Sequence, residues 1–310
     1  MIKDKIDVTP RIAVLLATFN GGRYIAEFLD SLVAQTETGF VLYVRDDGSS
    51  DDTLAIVASY ASRLSIVVVP SERRLGPAHS FLTLLRAAPE ECMYFAFADQ
   101  DDRWLPTKLE RACVSLESTP EIPSVYFARV EYVDEQLSHL GYSPDVRHVG
   151  FANALVENVA MGCTMMLNRV GRSLVLEGNP VRLTMHDWWV YLLICGFGRI
   201  CKDDFVALQY RQHANNAVGG TPSLLTEYWR KLVQFLKRDP AVVSIAQQAH
   251  ELKSLYGGRL SSRHRRVLEQ LAPAKPSLLN RVGLCVWSPF TRQRLVDTLI
   301  LRALFLLGRY

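Results

Sequence analysis

The apolar run Met93-Tyr94-Phe95-Ala96-Phe97 leads straight into Ala98-Asp99-Gln100-Asp101-Asp102-Arg103-Trp104, so three carboxylates stand within four residues at the end of what reads as a buried strand. Such a cluster repels itself and is costly to desolvate. It calls for a compensating cation, and hard oxygen ligands at this spacing suit Mg²⁺ or Mn²⁺. For an arbitrary Asp pair, a solvated acidic turn ahead of a helix is the plainer account. Here the acids fall at the carboxyl end of a parallel strand, where open α/β sheets place their ligands, and that favours a functional account.

The preceding chain repeats the same grammar. Ile12-Ala13-Val14-Leu15-Leu16-Ala17-Thr18 reads as a central parallel strand, and after Phe19-Asn20-Gly21-Gly22 a helix follows with Ile25, Phe28, Leu29, Leu32 and Val33 on one face. Residues 40–44 make a second strand, ending in Arg45-Asp46-Asp47-Gly48-Ser49-Ser50-Asp51-Asp52-Thr53, where Ser50 or Asp51 can cap the next helix. Residues 64–69 make a third strand, and Gly76-Pro77 opens a helix with Phe81, Leu84, Leu85 and Ala88 on one face. Residues 93–98 are the fourth. Strands alternating with helices in this way predict an α/β fold, a doubly wound parallel sheet with right-handed crossovers.

After Pro106 comes a helix with Leu109, Ala112, Cys113 and Leu116 on one face, and from there antiparallel strands are expected. Residues 125–133, 162–167 and 205–210 read as strands and residues 187–194 as a helix. From Thr221 helical periodicity with frequent Arg, Lys and Pro takes over. This places a catalytic domain at 1–220, with halves at about 10–105 and 106–220, and a helical region at 221–310.

At 310 residues, 49% of them apolar, the chain can bury a sizeable core, and its net charge of +3 does not call for nucleic acid. The six cysteines show no C-x-x-C pairing, which argues against a zinc site or a disulfide framework and for reduced, mostly buried thiols in a cytoplasm. The start, Met1-Ile2-Lys3-Asp4-Lys5-Ile6-Asp7, carries charges where an export signal needs apolar residues. Asp297 and Arg302 interrupt the last apolar runs, so no bilayer-spanning stretch of about 20 residues is expected.

Four ordered segments, L-A-T-F-N-G, R-D-D-G-S-S-D-D-T, A-D-Q-D-D-R-W-L-P and M-H-D-W-W, together resemble the landmarks of family-2 glycosyltransferases over roughly residues 10 to 216. D-Q-D-D-x-W with H-D-W-W is most similar to bacterial rhamnosyltransferase-like enzymes of cell-surface polysaccharide synthesis. The resemblance implies a GT-A fold: a Rossmann-like, mostly parallel central sheet with helices on both faces. It also implies metal-dependent, inverting transfer of a sugar from a nucleoside-diphosphate donor, dTDP-rhamnose or a UDP-sugar, to a hydroxyl of a glycan or lipid-linked acceptor.

Site roles follow from the same resemblance. Asp47, with Asp46 beside it, binds the base, and Thr18 and Asn20 contact base or ribose. Asp99-Gln100-Asp101 matches the D-x-D motif, with Asp101 the metal ligand, Asp99 on metal or ribose, and Gln100 among the donor contacts. Asp102 and Trp104 shape the donor-sugar pocket. Asp187 is the general base, His213 completes the metal site, Arg211 meets the diphosphate, and Gly162 lets the acceptor approach the backbone. Read locally, Asp46 could simply start a turn, Asp187 cap a helix, and His213 sit on the surface. Gly21-Gly22-Arg23 also keeps a sugar nucleotidyltransferase in view, and a catalytically inactive sugar-nucleotide-binding scaffold is the non-enzymatic alternative.

The tail carries two apolar faces flanked by basic residues. Trp229, Leu232, Phe235 and Leu236 lie beside Lys231, Lys237 and Arg238, and the stretch Leu299, Ile300, Ala303, Leu304, Phe305, Leu307 lies near Arg292, Arg294, Arg302 and Arg309. This suits an anionic membrane surface, with the protein peripheral on the cytoplasmic face of the bacterial inner membrane. A helical bundle packed on the catalytic domain, or a homodimer, is the competing expectation.

Overall fold

Along β1 (Ile12–Thr18), Ile12, Val14 and Leu16 enter one hydrophobic cluster and Ala13 and Leu15 another, so the strand has a core on each side. That requires a sheet covered on both faces. The computed structural model, which describes residues 10–213, 243–271 and 277–310, shows it. β2 (Phe40–Asp46), β3 (Ile66–Val68) and β4 (Tyr94–Ala98) join β1 in the parallel order β3-β2-β1-β4. Because the chain moves outward from β1 to β3 and then returns to the other side of β1, Thr18 and Ala98 end side by side at the switch point, the place where such sheets bind ligands.

Beyond β4 the sheet turns mixed, as the change of pattern after residue 106 led one to expect. β8 (Met166–Asn168) is antiparallel to β4, and β6 (Ser124–Val133) is antiparallel to β8. β9 (Arg199–Arg211) runs parallel to β6, and β5 (Arg103–Trp104) pairs antiparallel with β9. β7 (His139–Tyr142) pairs with the far half of β6. One face is covered by α1 (Ile25–Val33), α2 (Thr53–Ser59) and α4 (Lys108–Glu117). The other carries α3 (Pro77–Ala87), the short α5 (Phe151–Ala154), α6 (Arg169–Glu177) and α7 (His186–Phe197). All residues from Trp189 to Ile194 in α7 are buried, as a helix apolar on every side must be.

The C-terminal helices are α8 (Ile245–Tyr256), α9 (Ser262–Leu271), α10 (Leu278–Trp287) and α11 (Leu295–Leu307). α8 starts at a capping box between Ser244 and Gln247. Leu252, Leu268, Leu284, Phe290 and Phe305 belong to the same core cluster as Phe95 of β4 and Trp189 of α7. The boundary read at 220–221 and the stripe of Trp229, Leu232, Phe235 and Leu236 lie outside the described residues. Among the described residues no helix is long and apolar enough to cross a membrane, and all six cysteines are free.

Some local readings change. Gly162–Thr164 is a 3-10 turn and not the first half of a strand, and β9 begins at Arg199, ahead of the expected 205. The N-cap of α2 is Asp52, which makes no side-chain cap bond, while Asp51 takes the Thr53 N–H at 3.2 Å.

Candidate active site

The turn after β1 is tied on two sides. Asn20 adopts a left-handed φ of 48° and accepts the Ser50 N–H at 2.9 Å, while its own N–H donates to Ser49 Oγ at 2.8 Å. The Gly21 N–H donates to Thr53 Oγ1 and the Gly22 N–H to Asp51, both at 2.8 Å. These two N–H groups are therefore not free to cradle a triphosphate, which removes the structural basis of the nucleotidyltransferase alternative. From the other side Gln100 clamps the turn, accepting the Phe19 N–H and donating to the Phe19 carbonyl at 3.0 Å each. A Cβ on Gly21 would stand 2.2 Å from Gln100 Oε1, so this close approach needs glycine. Gln100 joins the first βα turn to the acidic cluster, a positioning part in place of the donor contact expected of it.

Asp46 and Asp47 both close the end of β2, with their acceptor capacity largely taken. Asp46 Oδ1 accepts from Thr18 Oγ1 at 2.8 Å, and its Oδ2 accepts the N–H groups of Gly48 and Ser49. Asp47 is ion-paired with buried Arg45 and accepts the N–H groups of Leu75 and Gly76 at 2.8 and 2.7 Å. Burial alone would raise its pKa, yet the Arg45 guanidinium and the two backbone donors hold the carboxyl below its ordinary range. The turn reading of Asp46 thus holds, Thr18 is sealed beneath it, and Asp47 anchors the loop that opens α3.

Of the acids after β4, Asp99 and Asp101 are half-buried and Asp102 is 1% exposed. Asp101 Oδ2 lies 2.8 Å from His213 Nε2, and the His213 ring stacks on Tyr24 with centroids 5.1 Å apart. Residues far apart in sequence thus meet, and His213 is brought to the acid cluster. Arg211 is turned inward instead: it donates to the Asp101 carbonyl, the Glu135 carbonyl and Glu27 Oε2, and lies over the Tyr24 ring. The diphosphate contact expected of it gives way to a bracing role beneath Asp101. Trp104, 2% exposed, packs edge-on against Phe28, and nearby Asp102 is buried too, so the structure places both inside the core and not on the surface.

Lys108, not singled out in the sequence, is buried with its Nζ 3.1 Å from the centre of the Trp104 ring. Burial draws it down to about 7, while the thiol of Cys163 and the carboxyls of Asp102 and Asp99 oppose that fall. Asp99, Asp102 and Cys163 bring ligand atoms within 4.8 Å of one another, and both oxygens of buried Asp102 have no hydrogen-bond partner. Burial, then Asp101, then Asp187 push Asp99 up to about 7. An acid cluster this poorly satisfied fits a divalent cation. Its half-exposed oxygens, with His213 at the rim, are the hard donors Mg²⁺ or Mn²⁺ takes.

Asp187, half-buried at the start of α7, is near enough for its charge to act on Asp99. It is the second residue of the helix, with Met185 at the N-cap, so it is not the cap. Its carboxylate accepts the Trp188 N–H at 2.7 Å and the Gly162 N–H at 3.1 Å, and burial raises it to about 6. A Cβ on Gly162 would meet His186 Nε2 at 2.9 Å and Asp187 Cβ at 3.2 Å. Neighbouring His186 is packing: its ring stacks 3.9 Å from Phe81 and edge-on to Phe97, and burial takes it down to about 3.

A family model described as Glycosyl transferase family 2 matches residues 13–169. The chain is 28% identical over 240 residues to a dTDP-rhamnosyl transferase, RfbG of Shigella flexneri, covering 69% of this chain and 77% of that protein. An uncharacterised glycosyltransferase of Rickettsia prowazekii is 24% identical over 238 residues, 74% of this chain and 73% of it. Among solved structures, S. aureus TarS in complex with UDP-GlcNAc superposes with a TM-score of 0.55 at 18% identity, over 97% of this chain and 93% of that one. The mannosyltransferase PcManGT of Pyrobaculum calidifontis, with GDP-Man and Mn²⁺, gives 0.57 at 18%, over 97% and 75%.

Proposed function

Because the chain belongs to glycosyltransferase family 2 and has the GT-A fold, we propose that it is an inverting, metal-dependent transferase moving a sugar from a nucleoside diphosphate to a hydroxyl of a glycan or lipid-linked saccharide. The observation that carries this reading is a group of three half-buried carboxylates, in which the charges of Asp101 and Asp187 both act on Asp99. Two acids can serve the donor and the third the acceptor. Asp101, Asp99 and His213 would hold Mg²⁺ or Mn²⁺, which supplies the positive charge a leaving diphosphate needs. Asp187, kept basic enough by burial, accepts the proton of the acceptor hydroxyl as that oxygen attacks the anomeric carbon opposite the leaving group, so the configuration inverts.

In this reading the base and ribose lie beside the turn after β1 and the end of β2, where Asn20 and Asp47 are the side chains to test, Asp47 through the loop that it holds at Leu75 and Gly76. The likeness to RfbG supports dTDP-rhamnose as the first donor to try, with UDP- and GDP-sugars beside it. Within this proposal the product belongs to bacterial surface polysaccharide such as O-antigen, made at the cytoplasmic face of the inner membrane. The test is calorimetric titration of these sugar nucleotides with Mn²⁺, with Mg²⁺ and with EDTA. One donor should bind with metal and lose most of its affinity in EDTA, and Asp101→Asn should reproduce that loss in a folded protein. Equal affinity with and without metal would remove the metal from the mechanism.

A further inference from the structure

The C-terminal hairpin turns more apolar surface outward than its own packing uses. On α10, Leu284 is buried while Leu279 and Trp287 are 85% and 80% exposed. On α11, Asp297, Thr298, Leu301 and Phe305 face inward, and Leu295, Leu299 and Leu307 face outward with 74%, 55% and 60% exposure. A helix apolar on its inner and outer sides has a second partner, since an exposed patch of this kind marks an interaction surface.

Charge decides which partner. Residues 277–310 contain five arginines, at positions 281, 292, 294, 302 and 309, and a single acid, Asp297, which is buried. Two copies docked through this face would draw the exposed Arg294 and Arg309 of each toward a shared apolar interface, with the hairpin's one acid, Asp297, buried in each copy. An anionic bilayer satisfies both features at once. Leucine and tryptophan side chains enter the boundary between headgroups and acyl chains, and the exposed Arg294 and Arg309, with the half-exposed Arg281 and Arg302, meet the phosphates, while Arg292 is turned inward. We propose that the α10–α11 hairpin docks this protein on the surface of an anionic lipid bilayer without crossing it.

The hairpin is also fastened to the acceptor side of the site. Arg292 Nε donates to the Val156 carbonyl at 3.1 Å, the Gln293 N–H to Glu157 at 2.8 Å, and Asn153 Nδ2 to the Thr291 carbonyl at 3.0 Å. Trp188, next to Asp187, donates from Nε1 to the Ala154 carbonyl at 2.7 Å. The lipid-facing helices and the residue that receives the acceptor proton are thus braced through one short segment, 153–157. Resting on the transferase reading, this selects among acceptors: a saccharide carried on a lipid, presented from the bilayer to Asp187.

Flotation of the full chain with vesicles tests the docking. Phosphatidylcholine mixed with an equal amount of phosphatidylglycerol should carry the protein at low salt at least about tenfold better than phosphatidylcholine alone, with partial release at high salt. The exposed double variant Trp287→Asp and Leu299→Asp should no longer float, yet bind sugar nucleotide in solution as the parent does. Failure of the parent to float on anionic vesicles overturns the proposal, as does a solution dimer that the double variant splits into monomers. Loss of sugar-nucleotide binding by the parent would count against the transferase reading and leave the docking result standing.

Discussion

Asp187 stands further into its helix than its local sequence suggests. Before an apolar helix an acid reads as a cap, yet here it is the second helical residue, held by two backbone N–H groups and raised by burial to about 6. A base must be deprotonated to act, so turnover should be level above about pH 6 and fall as pH drops through that value. Asp187→Asn should lower turnover by roughly 10²- to 10⁴-fold, leave donor affinity nearly unchanged, and erase this inflection. A pH profile of kcat on both proteins checks it, and a normal rate in the variant would leave Asp187 a packing residue. The sequence also named Asp99, Asp101 and His213, which the fold does bring together. It missed Lys108, because a lone lysine at a helix start carries no mark of whether its head is solvated or buried against Trp104. Nor did it show that Arg211 bonds to the Asp101 and Glu135 carbonyls or that Trp104 packs on Phe28, since a motif gives a residue's company and not the direction its side chain takes.

At the scale of elements, the strands of the parallel half were legible because burial on both faces writes them as unbroken apolar runs. β5, two residues long, and β7, largely exposed, have no such signature, and Arg199 to Asp204 of β9 are too polar to announce a strand. The end of β2 was legible as a binding loop but not as a brace. Arg45 reaches Asp47, Ser71, Ser80 and the Arg73 carbonyl, so one buried ion pair ties β2 to the loop before α3 and to α3 itself. Asp47→Ala therefore has two expected consequences. It removes the acceptor at the base end, weakening donor binding, and it strands the Arg45 charge, which costs on the order of 3–5 kcal/mol when a buried pair loses one partner. Urea denaturation should show the second effect in the absence of any nucleotide. A variant with weakened binding but unchanged stability would mean that water reaches Arg45 and that the pair is no brace.

For the whole molecule, the change of composition after Thr221 suggested a helical appendage, and the core shows a closer attachment for its described part. Leu284, Phe290, Leu301, Phe305 and Tyr310 lie in one cluster with Phe151, Trp189 and Phe95, so the last helices extend the core on the α7 side of the sheet. Periodicity could place apolar faces on these helices, but not say which face meets the catalytic half. Each large apolar side chain buried there contributes roughly 1.5–3 kcal/mol, against a total domain stability of about 5–15 kcal/mol. Removing residues 277–310 should bring the remainder near its folding threshold. The loss should also be uneven: segment 153–157 gives up its bonds to Thr291, Arg292 and Gln293, whereas Thr18 keeps its bond to Asp46, Gln100 its bonds to Phe19, and β1 and β4 their ladder to each other. Hydrogen exchange on the truncated chain, stabilised by low temperature, should show amide protection falling most across residues 151–157 and α7 and least across β1 and β4. Donor binding should then outlast transfer, because the acceptor side loosens first. Uniform loss of protection would mean a single cooperative unit, and unchanged protection would mean that the hairpin only rests on the surface.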